Sequence, residues 1–468
     1  MNILKISNDF SYFLSTDESI RHELWDRLRF REKNYFHNRA YKMRKWDGYI
    51  EFFDKNTGKF LTGILPEVSA FLRHKNVEYT VEDTRDLTQF NVNEVDENFL
   101  NEGESPVELR DYQVELINQV IKHRRGIIFA PTSAGKSLIM IGIIKTLKPN
   151  TPVLVLQNRL SLAQQNYDEL QRLKFPNVGN VWGGSIKPNI ITVASVQSVA
   201  KIEKLLPKIK VLIVDEIHDM MSRLPKAVYR RLKAADVRVA VSATPFKFGG
   251  KDNVQKFSVR GYFGPIFKVK SAAEGILTTA ELQNRGILSS SKCTFYPIRE
   301  PQIPHDIYID AVTRGIAENF YFHKIVSGLA KKQKGRTLIL VDRIAHGDSL
   351  NNLIPGSLWI QGKDDADTRK SVIKELQKSE QCVAIATQQI FNTGINVYVH
   401  NLINAAGGQA DHQIIQRMGR GLRTASDKET LQYYDFVFEI NEYLEKHSRK
   451  RIKILKEQGH EVVIEELQ

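Results

Sequence analysis

From Leu109 onward the chain alternates short apolar runs with helical or turn segments, and this alternation constrains the fold more than any other feature. "GIIFA", "VLVLQ", "IITVA", "VLIVDE" and "VRVAVSAT" are rich in β-branched residues, and each is followed by a helix-like or turn segment. Strands buried on both faces of a parallel sheet read as continuous apolar runs, with crossover helices covering them. A second series, "TLILVD", "SLWIQG", "VAIAT", "NLINAA" and "YYDFVFEI", repeats the pattern. The expectation is an α/β chain with two tandem parallel-sheet domains. Between the series lies "KFGGKDNVQKFSVRGYFGPIF", Gly-rich and read as irregular. The final "EVVIEEL" reads as a strand after a basic helix-like run, "YLEKHSRKRIKILKEQG".

With 468 residues, two to four domains are expected. Residues 1–82 mix strand-like and helix-like runs, as in a small α+β domain, and 83–104 form an acidic linker. The α/β domains are placed at 105–268 and 301–468, with a connector at 269–300. The net charge of +13 favours an anionic partner, nucleic acid or a membrane surface, over a neutral one, although a solvated basic surface would give the same count. The two cysteines, Cys293 and Cys382, form no C-x-x-C, so a reducing compartment is expected. No apolar stretch is long enough to span a bilayer, and the N-terminus has no secretory leader pattern, so a soluble, cytoplasmic protein is expected.

"FAPTSAGKSLIM" begins at Phe129, where a strand runs into a turn and then a helix. Backbone N–H groups of such a turn converge on phosphate oxygens. Ala130, Pro131, Thr132, Ser133, Ala134 and Gly135 form the loop. Lys136 would reach the β/γ-phosphates of a nucleoside triphosphate, and Ser137 would ligand Mg2+. In "VLIVDEIHD", Asp215 and Glu216 follow an apolar strand. Asp215 would hold the metal, Glu216 would polarise the attacking water, and His218 could link the pair to a neighbouring element. In "QIIQRMGRGLR", Arg417, Arg420 and Arg423 recur at threes, and an arginine offered to a γ-phosphate stabilises transition-state charge.

In this order the three segments resemble the superfamily 2 helicase core. The resemblance spans about residues 105 to 440 and implies two RecA-like domains with ATP and Mg2+ bound in the cleft between them. "LRDYQ" resembles the adenine-reading Q motif and implies Gln113 on the adenine edge, with Arg110 or Tyr112 beside the base. "VLQNR" and "TVASVQS" resemble motifs Ia and Ib and imply backbone contacts to nucleic acid from Arg159, Thr192 and Gln197. "SAT" (Ser242, Ala243, Thr244) is similar to motif III, which couples hydrolysis to strand movement, and "LILVDR" to motif IV. "ATQQIFNTGINV" resembles motif V and contributes Thr387, Gly394 and Asn396. Asn396 stands where the family commonly has Asp. "QRMGRGLR" resembles motif VI, with Gln416, Arg420 and Arg423 in catalytic roles. An opening Ala such as Ala130 is usual in this superfamily.

Residues 21–50 carry nine Lys and Arg against four acidic residues, with aromatics interleaved. Arg39, Lys42, Arg44, Lys45 and Trp46 are the candidate nucleic-acid contacts, since cations neutralise phosphates and aromatics stack on bases. Some of these aromatics must also form the domain's own core. "YKMRKWDGYIEFFD…GKFLTGILPEVSAFLR" resembles the N-terminal domain of phage UvsW-type recombination helicases and extends to a counterpart in a T5-like phage. That resemblance implies a monomeric ATP-driven motor acting on branched, forked or duplex DNA in the host cytoplasm, with a single-strand-binding protein as a candidate partner. A superfamily 2 RNA helicase would share the whole core. A restriction-type motor subunit would share it too, and a non-enzymatic nucleic-acid-binding module could have kept the fold without the activity. Such a module predicts losses at Lys136, Glu216 or Arg423, and all three are present.

Overall fold

The computed structural model describes residues 2–101, 106–246, 252–272, 275–304, 307–364, 366–388, 398–408 and 430–466. The chain divides into two units, one of Met1–Ala130 with Gly135–Ile276 and one of Pro131–Ala134 with Leu277–Gln468. The strands of the first unit are β1 (Ile3–Ile6), β2 (Phe10–Leu14), β3 (Arg29–Arg31), β4 (Tyr49–Glu51), β5 (Lys59–Leu61), β6 (Thr80–Asp83), β7 (Arg125–Phe129), β8 (Val153–Gln157), β9 (Val178–Trp182), β10 (Ser185–Lys187), β11 (Ile191–Ser195), β12 (Val211–Asp215) and β13 (Val237–Ser242). Those of the second are β14 (Ser290–Ile298), β15 (Arg336–Val341), β16 (Leu358–Ile360), β17 (Cys382–Thr387), β18 (Asn401–Asn404), β19 (Thr430–Phe438) and β20 (Glu461–Ile464).

The first unit begins with a four-stranded sheet of order β5-β2-β1-β6 and a separate β3-β4 hairpin. Asp17 caps the helix Glu18–Arg27 by accepting from the Ser19 and Ile20 amides, and a proline opens the helix Leu65–His74. Both helices bury apolar residues against the sheet, and Phe13, Leu24, Phe60, Ile64, Val68 and Leu72 make a dry core. This α+β module is fastened to the α/β body that follows it. Phe30 and Phe52 pack on Phe257 at centroid distances of 4.7 and 5.7 Å. Glu67 pairs with Arg260, and Asp9 with Lys233. Gly63 lies so close to the backbone of Arg260 that a Cβ there would sit 2.1 Å from its carbonyl oxygen.

Phe257 and Arg260 belong to the helix Asn253–Phe263, capped by Asp252. Its sequence lies in the stretch expected to be irregular. Glycines and charges obscured the buried face made by Val259, Tyr262 and Phe263. Residues 84–101 run along the same body. Thr88, Val95 and Leu100 are buried, and Asp236 accepts from the Thr88 amide at 2.9 Å and from Arg124 at 2.8 Å.

The α/β body carries a seven-stranded sheet, β10-β9-β11-β8-β12-β13-β7, parallel except for β10. All five residues of β8, β11 and β12 are buried, as strands covered on both faces must be. The second unit has its own seven-stranded, wholly parallel sheet, β16-β17-β15-β18-β19-β14-β20. β14 falls within 269–300 of the sequence and pairs along nine residues with β19. Two tandem parallel-sheet domains follow a small α+β module, as the alternating runs imply.

Candidate active site and nucleic-acid interface

In the parallel sheet of the first unit, the carboxyl ends of β7, β12 and β13 place three sequence motifs side by side. Ligands of such sheets bind at this edge because loops there diverge and helix N-termini point inward. The loop after β7 bends through two left-handed residues, Ser133 at φ 68° and Gly135 at φ 80°. Alternation of this kind turns successive N–H groups toward one point and makes a concave anion site. Gly135 is required on two counts. It has positive φ, and a Cβ would lie 2.2 Å from Gln113 Nε2. The helix Lys136–Lys145 starts immediately after it.

Lys136 Nζ donates to Glu216 Oε1 at 2.6 Å, joining the loop after β7 to the end of β12. Glu216 is itself left-handed, at φ 51°, an uncommon state for a non-glycine residue that holds its carboxylate off the strand line. Its second oxygen accepts from Ser242 at the end of β13, 3.0 Å away. His218 Nδ1 lies 3.1 Å from the Ser242 hydroxyl and 3.3 Å from Glu216. Since that hydroxyl is spent on Glu216, the imidazole supplies the proton in its own contact with Ser242.

Burial acts to raise the Glu216 carboxyl, but the adjoining Lys136 ammonium and the His218 hydrogen bond outweigh it and hold the group below the usual carboxylate range. Asp215 goes the other way. Burial and the Glu216 charge push it up to about 6, against the pull of Lys136. Environments that drive two adjacent carboxyls apart are typical of acid–base sites.

The remaining expected nucleotide contacts fall around this centre. Ala130 and Ala134 are buried, and the Thr132 hydroxyl is buried without a hydrogen-bond partner among the described residues. Ser137 Oγ lies 3.4 Å from Asn166 Oδ1, a residue no motif singled out. Gln157, inside "VLQNR", reaches Asp215 Oδ2 at 3.4 Å and likewise went unmarked in the sequence. Gln113 is buried and accepts from the Arg110 amide at 2.9 Å, while Arg110 reaches the Tyr112 hydroxyl at 3.3 Å. Ser242 and Ala243 are buried, and the Thr244 amide donates to the Ser242 hydroxyl at 3.0 Å.

Ser137 and Asp215 offer hard oxygen donors, and the buried Asp215 and half-buried Glu216 together put two carboxyls beside the single Lys136 ammonium. This under-neutralised oxygen set suits Mg2+. The Thr132 hydroxyl, unpartnered among the described residues, and the left-handed loop fit a triphosphate.

The expected nucleic-acid contacts are more dispersed. Arg159 reaches toward Asp219 at 3.8 Å, and Gln197 is exposed and bonds the Asn158 carbonyl at 3.1 Å. Thr192 is buried, with its hydroxyl given to the Asn189 carbonyl at 2.6 Å, which fixes the turn before β11. Thr387 is buried at the end of β17 in the second unit. Gly394, Asn396, Gln416, Arg417, Arg420 and Arg423 lie outside the described residues.

In the N-terminal module, Arg39, Lys42, Arg44 and Lys45 are all exposed, and Trp46 is half-buried with its indole N–H on the Tyr49 carbonyl at 2.7 Å. Beside them the outer face of the β3-β4 hairpin forms a ladder of arginines and aromatic rings. Arg29 lies 3.8 Å from the Trp25 ring and 4.8 Å from Tyr49. Arg31 lies 4.9 Å from Tyr49 and 4.8 Å from Tyr35, which meets Tyr41 edge-on at 4.7 Å. The period of two in β3 sends Phe30 to the opposite face, onto Phe257.

Two sequence families match in succession. "Type III restriction enzyme, res subunit" covers residues 106–247, and "Helicase conserved C-terminal domain" covers 321–425. The chain carries a superfamily 2 helicase core. At the level of that family it is an ATP-hydrolysing helicase, and it resembles the phage UvsW-type helicases at low identity. The ATP-dependent DNA helicase uvsW of Enterobacteria phage T4 is 23% identical over 93% of this chain and 91% of its own. The DNA 3'-5' translocase XPB2 of Sulfurisphaera tokodaii is 26% identical over 72% of this chain and 84% of its own. Among solved structures, S. cerevisiae Dbp5 bound to RNA and ADP BeF3 aligns with a TM-score of 0.51 at 15% identity, covering 75% of this chain and 89% of that one. This last likeness concerns the fold. No helix among the described residues is long and apolar enough to cross a membrane.

Proposed function

We propose that this chain is an ATP-driven DNA helicase or translocase that remodels branched DNA, by branch migration, fork regression or short-duplex unwinding, in phage recombination, repair or replication. One observation carries the reading furthest. A partly buried arginine–aromatic ladder, with Arg31 exposed and four exposed cations beside it, sits on a module fastened to the ATPase body by Phe257, Arg260 and Lys233. A surface that neutralises phosphates and stacks on bases, carried by the ATPase domain itself, moves with the motor rather than on a tether. The near-full-length likeness to T4 uvsW, module included, supports DNA as the substrate.

In this reading Lys136 meets the β- and γ-phosphates of ATP, and Ser137 and Asp215 hold Mg2+, which when bound spreads the charge of the triphosphate. Glu216, kept ionised by Lys136 and His218, accepts the proton of the attacking water. Arg420 and Arg423, oriented with Gln416, offset charge on the transferred phosphoryl group. Gln113 and Arg110 read the base, Gly394 and Asn396 contribute on the motif V side, and Ser242–Thr244 transmit the state of Glu216 to the strand contacts at Arg159, Gln197 and Thr387. The protein acts as a monomer in the host cytoplasm, with a single-strand-binding protein as a candidate partner.

The test is to replace Arg39, Lys42, Arg44 and Lys45 together by Ala. Affinity for forked DNA should fall at least tenfold, with a shallower salt dependence, while DNA-independent ATPase is kept. Loss of basal ATPase, or unchanged DNA affinity, would contradict the assignment of this module.

A further inference from the structure

Where the N-terminal module meets the α/β body there is a cleft of 440 Å³ that none of the motifs accounts for. Phe10, Phe52, Lys59 and Leu61 line it from the module, and Lys226, Arg230, Ser258 and Tyr262 from the body. Lys226 and Arg230 stand four residues apart on the helix Arg223–Arg231, so their charges share one face. Like charges at this spacing repel, and among the described residues neither is paired with a carboxylate. Burial and the neighbouring Arg230 act together to lower the Lys226 ammonium below its ordinary value. Arg230 spends one N–H on the Tyr262 hydroxyl at 3.2 Å. Lys59 lies 3.9 Å from the Phe10 ring. Of the two carboxylates at the cleft, Asp54 is committed to the Asn56 and Thr57 amides, and Glu51 is exposed. Lys59 shares its charge with Asp54, so the unbalanced pair is the half-buried Lys226 and the exposed Arg230, set between aromatic walls with no carboxylate partner among the described residues, which is a place for an anion.

We propose that this cleft is a second nucleic-acid subsite, which takes a nucleotide of a single strand with its phosphate on Lys226 and Arg230 and its base against Phe10 and Phe52. Nucleic acid is favoured over an acidic peptide because the cations alternate with flat aromatic rings, the make-up that holds phosphate and base in turn. The site straddles the module and the body, so a strand seated there bridges the β3-β4 ladder and the ATPase domain. This proposal rests on the reading that the protein binds DNA.

The experiment measures binding of a fluorescent oligo(dT) to the full chain against salt, for wild type and for Lys226→Gln/Arg230→Gln. Affinity should fall about tenfold or more, and the magnitude of the salt slope should drop by about 0.7, the value for one single-strand phosphate contact. The melting temperature should hold or rise, because a like-charge pair is removed. Basal ATPase should be unchanged, and halogenated-uracil photocrosslinks should map to Phe10 or Phe52. Unchanged affinity and slope in the variant, with wild type binding normally, would overturn the subsite and leave the DNA reading intact. Failure of wild type to bind any nucleic acid would sink the DNA reading itself.

Discussion

The hydroxyl of Ser242 donates to Glu216 Oε2 at 3.0 Å, tying the end of β13 to the end of β12 across 26 residues of sequence. His218 leans on the same hydroxyl, so one serine senses the charge on the residue assigned to activate water. We predict that Ser242→Ala keeps basal ATPase within roughly threefold, since Lys136 still holds Glu216, but lowers strand unwinding at least tenfold. ATP turnover and unwinding measured on one preparation check this. A parallel loss of both would mean Ser242 serves hydrolysis rather than its coupling.

Lys136→Ala removes the ammonium that sits 2.6 Å from Glu216 and the charge expected to meet the phosphates. ATPase should fall by about three orders of magnitude, the scale on which phosphate-clamping groups act. Oligonucleotide affinity should stay within about twofold, because no candidate strand contact lies on that loop. Steady-state turnover with a binding titration tests both halves.

Much of this centre could be read from the sequence, because phosphate loops and acidic strand ends are local patterns. Gly135, Lys136, Asp215 and Glu216 sit a few residues from their strands, so spacing alone places them. The docking of the N-terminal module could not be read in that way. Phe257, Arg260 and Gly63 matter through contacts that only the tertiary fold creates, and the helix holding two of them lies in a Gly-rich, charged stretch. Thr192 and Gln113 show the same limit from another side. Their motifs were visible, but the commitment of their polar groups to Asn189 and Arg110 was not.

The close approach at Gly63 is itself testable. A methyl there would need the backbone at Arg260 to retreat, which loosens the seat of the module. Gly63→Ala should make the N-terminal module more sensitive to limited proteolysis and reduce DNA-stimulated ATPase while sparing the basal rate.

In the second unit, Arg451 makes two bonds to the buried Asp435, at 2.8 and 3.0 Å, and one to the Gly408 carbonyl at 2.9 Å. Asp435 also accepts from Tyr433 and Asn404. Arg451→Met would strand a buried carboxylate and should cost about 3–5 kcal/mol, whereas Arg451→Met with Asp435→Leu should recover much of that loss. Thermal unfolding of the three proteins gives the comparison.

Burial lowers the imidazoles of His460, to about 4, and of His346, which stacks on His323 at 4.5 Å. A histidine with a folded pKa below its unfolded value binds fewer protons in the fold. Its contribution is therefore complete above the unfolded value near 6.5 and is lost as pH falls toward the folded one. For His460 the loss reaches roughly 3 kcal/mol by about pH 4. The melting temperature should drop across that window, and His460→Gln should flatten the drop.

The central claim is that hydrolysis at Lys136 and Glu216 drives movement on branched DNA. It is tested most directly by ATPase and unwinding rates on linear, forked and four-way DNA beside an RNA duplex. The account predicts the strongest stimulation and strand separation on forked and four-way DNA, and little on RNA. Strong stimulation by RNA with none by branched DNA would contradict it.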